Sequence, residues 1–185
     1  RRRLSDIIGL RRNVPEFNLA VQGTYPPGSI FKIVSGAAIL DAAGISPQEA
    51  TYCPGYFELG RRVMLCWEKK GHRTQSFIGG LAHSCDVYFY RMGIKAGGEA
   101  IERTARMFRL GESTKVGLAS EAKGRVFGPR SRAKRGLSWY DGDTANLSIG
   151  QGETIVTPMQ MAVLLAAVAK RGTLWRPHFI DRVER

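Results

Sequence analysis

The sequence predicts an α+β domain, an antiparallel sheet covered by helices, with one helix buried at its centre. Residues 30–43 are apolar on almost every side of a helix, which is the pattern of a fully buried helix. Residues 51–75 consist of short strand-forming segments separated by prolines and glycines. With 185 residues, the chain is long enough for one domain, or most of one, with a sizeable core.

Start and stop signals define the elements along the chain. Residues 1–17 form a basic, irregular approach segment, and the buried helix spans about 29–43 before Gly44. Two more helices are predicted over about 77–96 and 98–109. Residues 112–145 form a loop-rich segment with six cationic side chains between Lys123 and Arg135, which we interpret as a solvated surface.

The last part of the chain is predicted to contain a helix and then a strand. Thr157 is a suitable N-cap and Pro158 suits the first turn, so a helix begins here and extends to Lys170. Gly172 ends this helix, and residues 173–183 have the composition of a strand.

The net charge of +12 is high for a chain of ordinary globular composition, with 43% apolar and 24% charged residues. Such a charge suggests a polyanionic partner or an anionic surface such as a membrane. No run of 18 apolar residues exists, so we predict neither a transmembrane helix nor a signal peptide within this sequence. Because the sequence begins with Arg1, we expect it to be part of a longer protein.

The stretch Ser29-Ile30-Phe31-Lys32 is the most informative feature of the sequence. Two prolines precede it, so Ser29 is expected at the helix N-terminus, with Lys32 one turn later on the same face. A serine nucleophile needs a nearby base and a donor for the oxyanion, and this arrangement offers both. The alternative interpretation is a serine N-cap followed by a chance lysine.

The buried setting favours the functional interpretation of Lys32. A lysine in the first turn of a buried helix is costly unless the site uses it. Burial and the positive end of the helix dipole both disfavour the ammonium form, which is how a lysine becomes a general base near neutral pH.

A second motif, Ser84-Cys85-Asp86, lies in a stretch predicted to be helical, 55 residues after Ser29. Further along, the sequence reads WYDGDT from 139, IGQGE from 149 and TPMQMA from 157. Together with YPPGSIFK, these motifs resemble the transpeptidase domain of class B penicillin-binding proteins over roughly residues 18–185. The SCDVYFY block is most similar to penicillin-binding protein 2, the elongation-type enzyme.

This resemblance implies the fold shared by penicillin-binding proteins and serine β-lactamases, and the activity of a peptidoglycan D,D-transpeptidase. By the resemblance, Ser29 attacks the penultimate D-Ala carbonyl of a stem peptide and forms an acyl-enzyme. Lys32 takes the proton of Ser29, and Ser84 relays a proton to the leaving amine. β-Lactams acylate the same serine. Gly150 to Gly152 are interpreted as shaping the chain near the sheet.

Two departures from the family pattern limit the transfer of roles. Asp86 stands where many relatives have Asn, and a carboxylate accepts hydrogen bonds but cannot donate them as an amide does. Asp86 is therefore expected to hold Lys32 or a substrate N–H. No K-T-G triplet follows the last predicted strand, so we expect the transpeptidase domain spanning 1–185 to be partial, incomplete at its C-terminus.

All three cysteines fall within 33 residues, with a histidine among them, in the order Cys53, Cys66, His72 and Cys85. One His and three Cys provide a complete tetrahedral shell for a structural zinc ion, although the spacing matches no familiar zinc finger. The alternatives are a Cys53–Cys66 disulfide with Cys85 free, and three unconnected core thiols. His83 is a weaker candidate ligand.

Competing functions from other classes stay open at this point. A β-lactamase-like hydrolase shares the serine and lysine, a division-type transpeptidase would more often show Asn at position 86, and a β-lactam-binding sensor needs no turnover. The expected partners are peptidoglycan stem peptides and β-lactams, a shape-determining glycosyltransferase and the elongation complex, but no nucleic acid. The resemblance also implies the periplasmic face of a bacterial inner membrane, with an anchor outside this chain.

Overall fold

The computed structural model describes residues 17–180, so the predicted approach segment lies outside the described residues except for Phe17. The α+β class is confirmed, with helices in the core and short antiparallel strands beside them. No helix among residues 17–180 is both long enough and apolar enough to cross a bilayer.

The predicted buried helix is confirmed, but it is built of three consecutive turns of different type. A 3₁₀ turn, Gly28–Phe31, leads into an α-helix, α1 (Lys32–Ala37), and a π-helical turn, Ala38–Ala42, follows. We call these three pieces together the Ser29 helix. Most of its apolar side chains are buried or partly buried in the core, whereas Ile30 beside Ser29 and Ala42 at the end are exposed.

The single helix predicted over 77–96 is wrong, because the structure divides it into α2 (Phe77–Ala82) and α3 (Asp86–Ala96). Ser84 adopts a left-handed backbone conformation, with φ of 52°, and Cys85 is extended, with ψ of 109°. These two residues interrupt the helical hydrogen bonding, so the second motif lies at a break and at the start of α3.

The next helices follow the sequence pattern in part. The helix α4 (Gly98–Met107) confirms the prediction over 98–109. The segment predicted to be loop-rich contains a short helix, α5 (Pro129–Ala133), and the start of α6 (Asp141–Ser148). The helix α7 (Pro158–Ala169) is confirmed, and Thr157 Oγ1 accepts a hydrogen bond from the Gln160 N–H as its N-cap.

The strands form two separate two-stranded antiparallel sheets. In one, β1 (Thr51–Cys53) pairs with β4 (Arg73–Gln75), and in the other β2 (Tyr56–Leu59) pairs with β3 (Arg62–Leu65). The strand predicted over 173–183 is wrong for residues 173–180, because they are not paired with any described strand and a strand needs a partner for its backbone groups. Residues 181–183 lie outside the described part.

Helix packing places the candidate site. The helix α3 packs on α6, while the Ser29 helix contacts α2, α3 and α4. One apolar cluster surrounds Phe31 and Val34, and a second joins Ile39 to the buried residues of α3 and to all three cysteines. The Ser29 helix therefore fixes the start of α3 and the cysteine region against the same core.

Candidate active site

Ser29 lies in the first 3₁₀ turn of the Ser29 helix and is exposed to solvent. The turn is held from outside, because the Gly28 N–H donates to the Gly150 carbonyl over 3.0 Å. Gly150 has φ of 71°, and a Cβ there would lie 2.2 Å from the Gly28 oxygen. The interpretation of Gly150 as shaping the chain near a sheet is therefore corrected, since it supports the turn that carries Ser29.

Lys32 lies one turn below Ser29, and only 1% of its surface is exposed. Its Nζ lies 3.3 Å from Ser29 Oγ and 2.9 Å from Ser84 Oγ. It also donates to the Ser84 carbonyl, over 2.8 Å, and to Asp86 Oδ1, over 2.6 Å. The four sequence-predicted residues thus meet at one buried nitrogen, and the ion pair with Asp86 compensates its removal from water.

The break between α2 and α3 explains how Ser84 and Asp86 both reach Lys32. In a continuous helix, residues two apart point in widely different directions. The left-handed Ser84 turns the chain so that its hydroxyl and carbonyl both face Lys32 Nζ. Asp86 begins α3, where a carboxylate is favoured by the helix dipole.

Trp67 was not among the residues selected from the sequence, yet the structure attaches it to this site. Its backbone N–H donates to Asp86 Oδ2 over 3.1 Å, so the Asp86 carboxylate bridges Lys32 and Trp67. Its indole Nε1 donates to the carbonyls of His83 and Ser84, each over 3.1 Å. Its position directly after Cys66 was the only signal in the sequence that could have indicated it.

The three cysteines and His72 also come together, next to the start of α3. Their four ligand atoms all lie within 4.8 Å of one another. His72 Nδ1 lies 3.5 Å from Cys66 Sγ and 3.8 Å from Cys53 Sγ. Ligands about 2.0–2.3 Å from one tetrahedral zinc ion are separated by distances of this size. The three thiols are free, so the structure contains no Cys53–Cys66 disulfide.

The protonation of this cluster fits a metal-binding role. Burial, followed by the nearby His83 ring, lowers the pKa of His72, which leaves the imidazole neutral and able to act as a ligand. Burial raises the pKa of the Cys85 thiol well above its ordinary value, a cost that a bound cation would offset by stabilising the thiolate. His83 is not part of the cluster and instead pairs through Nδ1 with Gln75 Oε1 at 3.0 Å.

Comparison with known proteins agrees with this geometry. A sequence profile described as the penicillin binding protein transpeptidase domain matches residues 8–185. Peptidoglycan D,D-transpeptidase MrdA of Acinetobacter baumannii is 34% identical over 180 residues, which cover 95% of this chain and 27% of that protein. The chain therefore spans about a quarter of the length of this curated relative.

Solved structures give the same result. A complex between penicillin-binding protein PBP2 and MreC from Helicobacter pylori matches with a TM-score of 0.89 and 30% identity, covering 99% of this chain and 35% of that chain. A structure described as a peptidoglycan synthase complex that coordinates polymerization and crosslinking matches with a TM-score of 0.84 and 29% identity, covering 98% of this chain and 32% of that chain. The chain belongs to the penicillin-binding protein transpeptidase domain family.

Proposed function

We propose that the complete protein is a peptidoglycan D,D-transpeptidase of the elongation type that cross-links stem peptides through an acyl-enzyme on Ser29. The observation that carries this proposal is the convergence of Ser29 Oγ, Ser84 Oγ and Asp86 Oδ1 on the buried Lys32 Nζ. An exposed hydroxyl beside a buried amine is the arrangement required of an activated serine nucleophile.

Acylation begins when Ser29 Oγ attacks the carbonyl carbon of the penultimate D-Ala. The hydroxyl proton moves to Lys32 Nζ, 3.3 Å away, which can accept it only after the ammonium form paired with Asp86 has lost a proton. When the tetrahedral intermediate collapses, the peptide C–N bond breaks and the terminal D-Ala leaves as an amine. Lys32 supplies the proton for that amine through Ser84 Oγ, 2.9 Å from Nζ.

Transfer reverses these proton movements. The amine of a neighbouring stem peptide attacks the acyl carbon and loses a proton through Ser84 to Lys32. The ester C–O bond then breaks, and Lys32 returns the proton to Ser29 Oγ. Asp86 accepts hydrogen bonds from Lys32 and from the Trp67 backbone, so its role is to fix the lysine nitrogen between the two serines.

The rival functions differ in the fate of the acyl-enzyme. A hydrolase passes the acyl group to water, a sensor retains it, and a transpeptidase passes it to an amine. The experiment supplies the complete protein with a pentapeptide ending in D-Ala-D-Ala and an amine acceptor, and it measures D-Ala release and cross-linked product by mass spectrometry. We expect cross-linked product with the unchanged protein and none with Ser29→Ala.

The matched control for this experiment is Ser46→Ala, because Ser46 is an exposed serine whose hydroxyl contacts only its own turn. We expect this variant to retain cross-linking. Hydrolysis without amine transfer would favour a hydrolase. A stable adduct with neither hydrolysis nor transfer would favour a sensor. Either result would contradict the proposed transpeptidase activity.

We also propose that Cys53, Cys66, His72 and Cys85 bind one structural zinc ion. The donor set, the 3.5 Å and 3.8 Å separations of His72 Nδ1 from two of the sulfurs, and the neutral His72 support this. A zinc ion there would have four protein ligands and no open position. It would link the β1–β4 region to Cys85, directly between Ser84 and Asp86.

Elemental analysis of protein purified without chelator tests the zinc site. We expect one zinc per chain, lost in Cys66→Ser and in His72→Ala, and slower β-lactam acylation in both variants. His83→Gln is the matched control, because this neighbouring histidine pairs with Gln75 and lies outside the cluster. Protein without zinc that shows a Cys53–Cys66 disulfide in its peptide map would contradict the site.

The proposed partners follow from the same assignment. The related structures concern a complex with MreC and an assembly for polymerization and crosslinking, which supports an elongation complex that contains a glycosyltransferase. We place the complete protein at the periplasmic face of the inner membrane, where stem peptides lie. Co-purification of the complete protein with a glycosyltransferase from the same cells tests this, and recovery of the protein without it from membranes solubilised in mild detergent would contradict it.

A further inference from the structure

Trp67 combines high exposure with a complete set of hydrogen bonds. Its surface is 62% exposed, as expected of a tryptophan left on a loop. Yet both of its N–H groups are directed to the second motif, the indole Nε1 to the carbonyls of His83 and Ser84 and the backbone N–H to Asp86 Oδ2. The exposed ring therefore does not simply face solvent, because its polar edge is fixed against the catalytic residues.

The indole N–H of Trp67 bonds the carbonyl of Ser84, the residue with a strained backbone conformation. Ser84 has φ of 52°, a left-handed conformation that is unfavourable for a residue other than glycine. This conformation directs the Ser84 carbonyl toward Lys32 Nζ, from which the carbonyl oxygen accepts a hydrogen bond of 2.8 Å. The indole N–H is the second donor to the same oxygen. Without it, the Ser84 peptide has one fewer bond holding it in the strained orientation.

We propose that the Trp67 indole N–H is a positioning group for acyl transfer, which holds the Ser84 peptide so that Ser84 Oγ and Lys32 Nζ stay aligned. This inference rests on the proposed function, because it concerns the rate at which Ser29 is acylated. Trp67 touches none of the reacting atoms in the structure. It acts through the Ser84 carbonyl and, by its backbone, through Asp86.

A purely structural role for the ring is the competing explanation, since the indole also packs edge-on against His72 with ring centroids 5.2 Å apart. Two replacements separate the ring from its N–H group. Trp67→Phe keeps an aromatic ring and removes the donor. Replacement of Trp67 by β-(3-benzothienyl)alanine keeps the bicyclic shape and exchanges only the N–H for sulfur. The backbone N–H to Asp86 is retained in both variants.

The experiment measures acylation of the complete protein by a fluorescent penicillin under pre-steady-state conditions, which separates the noncovalent dissociation constant from the acylation rate constant. We expect both variants to lower the acylation rate constant about three- to tenfold, the effect of one hydrogen bond, with the dissociation constant unchanged and the melting temperature lowered by no more than a few degrees. Trp175→Phe is the control, since Trp175 is 63% exposed and lines a separate cavity with Phe108 and Gln160. We expect it to match the unchanged protein.

Several results would overturn this inference in distinguishable ways. If the unchanged protein is not acylated, the proposed function fails and this inference fails with it. If the unchanged protein is acylated and both variants react at its rate, only the role of Trp67 fails. A normal acylation rate in the benzothienyl variant, together with slow acylation of Trp67→Phe, would assign the slower acylation to the shape of the ring. Weaker noncovalent binding of penicillin with an unchanged acylation rate constant would assign the effect of Trp67 to direct contact with the ligand. Both results contradict positioning by the indole N–H.

Discussion

Asp86→Asn is the most informative single substitution in the candidate site, because it changes charge and hydrogen bonding while conserving shape. In the structure, Asp86 Oδ1 accepts from Lys32 Nζ over 2.6 Å, and Oδ2 accepts from the Trp67 backbone N–H over 3.1 Å. A carboxylate satisfies both donors. An amide has one oxygen and one NH₂ group, so either orientation places a donor against a donor.

The magnitude follows from the burial of the pair. Lys32 is 1% exposed and Asp86 13%, so little water can replace a lost partner. Removing one member of a buried ion pair costs about 3–5 kcal/mol, and a hydrogen bond to a charged group contributes about 1.5–3 kcal/mol. Asn keeps one acceptor, so we expect the free energy of unfolding of Asp86→Asn to be lower by about 2 kcal/mol. In a domain of this size, that corresponds to a melting temperature about 4–8 °C lower.

The assay combines the thermal transition of the complete protein with the rate of penicillin acylation. We expect the lower melting temperature together with acylation slowed about tenfold or more. If misplacement of Lys32 raises the activation free energy of acylation by about 1.4 kcal/mol, the rate falls by a factor of ten. Asp41→Asn is the matched control, since Asp41 is an exposed carboxylate on the same helix as Lys32. An Asp86→Asn protein with the melting temperature and acylation rate of the control would refute the assigned ion-pair role.

Three further substitutions test separate parts of the account. Gly150→Ala should destabilise the domain by about 2 kcal/mol or more and slow acylation, because its Cβ would lie 2.2 Å from the Gly28 oxygen. The control Gly152→Ala has φ of 95° and nothing within 4 Å of the added Cβ, so it should lower the melting temperature less; equal melting temperatures for the two variants would contradict this. Lys32→Ala should slow penicillin acylation about 10²–10⁴-fold, and a near-normal rate would exclude lysine as the base. Burial raises the pKa of Glu102, but hydrogen bonds from Ser131, Arg106 and the Arg130 N–H outweigh it and lower that pKa below its ordinary value of 4.5. Its carboxylate therefore stabilises the fold above pH 4.5. In chemical denaturation, the unfolding free energy of Glu102→Gln should be lower by about 2 kcal/mol at pH 7 and should approach that of the unchanged protein as the pH falls below 4.5. A difference that does not depend on pH, or one equal to that of the exposed control Glu99→Gln, would contradict this.

The proximity of Ser29 and Lys32 could be predicted from the sequence because its signals are local. Ser29 and Lys32 are one helical turn apart, and the apolar residues around them indicate burial. The helix α7 was equally predictable, since Thr157 and Pro158 are a strong start signal that the structure uses as an N-cap. In each case, the residues that determine the structure are adjacent in the chain.

The features that the sequence did not predict depend on contacts between distant residues. The break at Ser84 is stabilised by Lys32 and Trp67, which lie 52 and 17 positions away, and local propensity favours a helix through it. The strand predicted over 173–183 has suitable residues, but pairing depends on a neighbouring strand, and residues 173–180 have none among the described residues. Gly150 could not be placed either, because its approach to Gly28 joins segments more than 120 residues apart.

The central claim is that Ser29 is the nucleophile, and the most direct test is the position of the acyl group after reaction with penicillin. The complete protein is incubated with penicillin, digested and analysed by mass spectrometry, with Ser29→Ala and Ser84→Ala in parallel. We expect a stable adduct on Ser29, no adduct in Ser29→Ala, and a slower reaction at Ser29 in Ser84→Ala. An adduct on Ser84, or undiminished labelling of Ser29→Ala, would contradict the account.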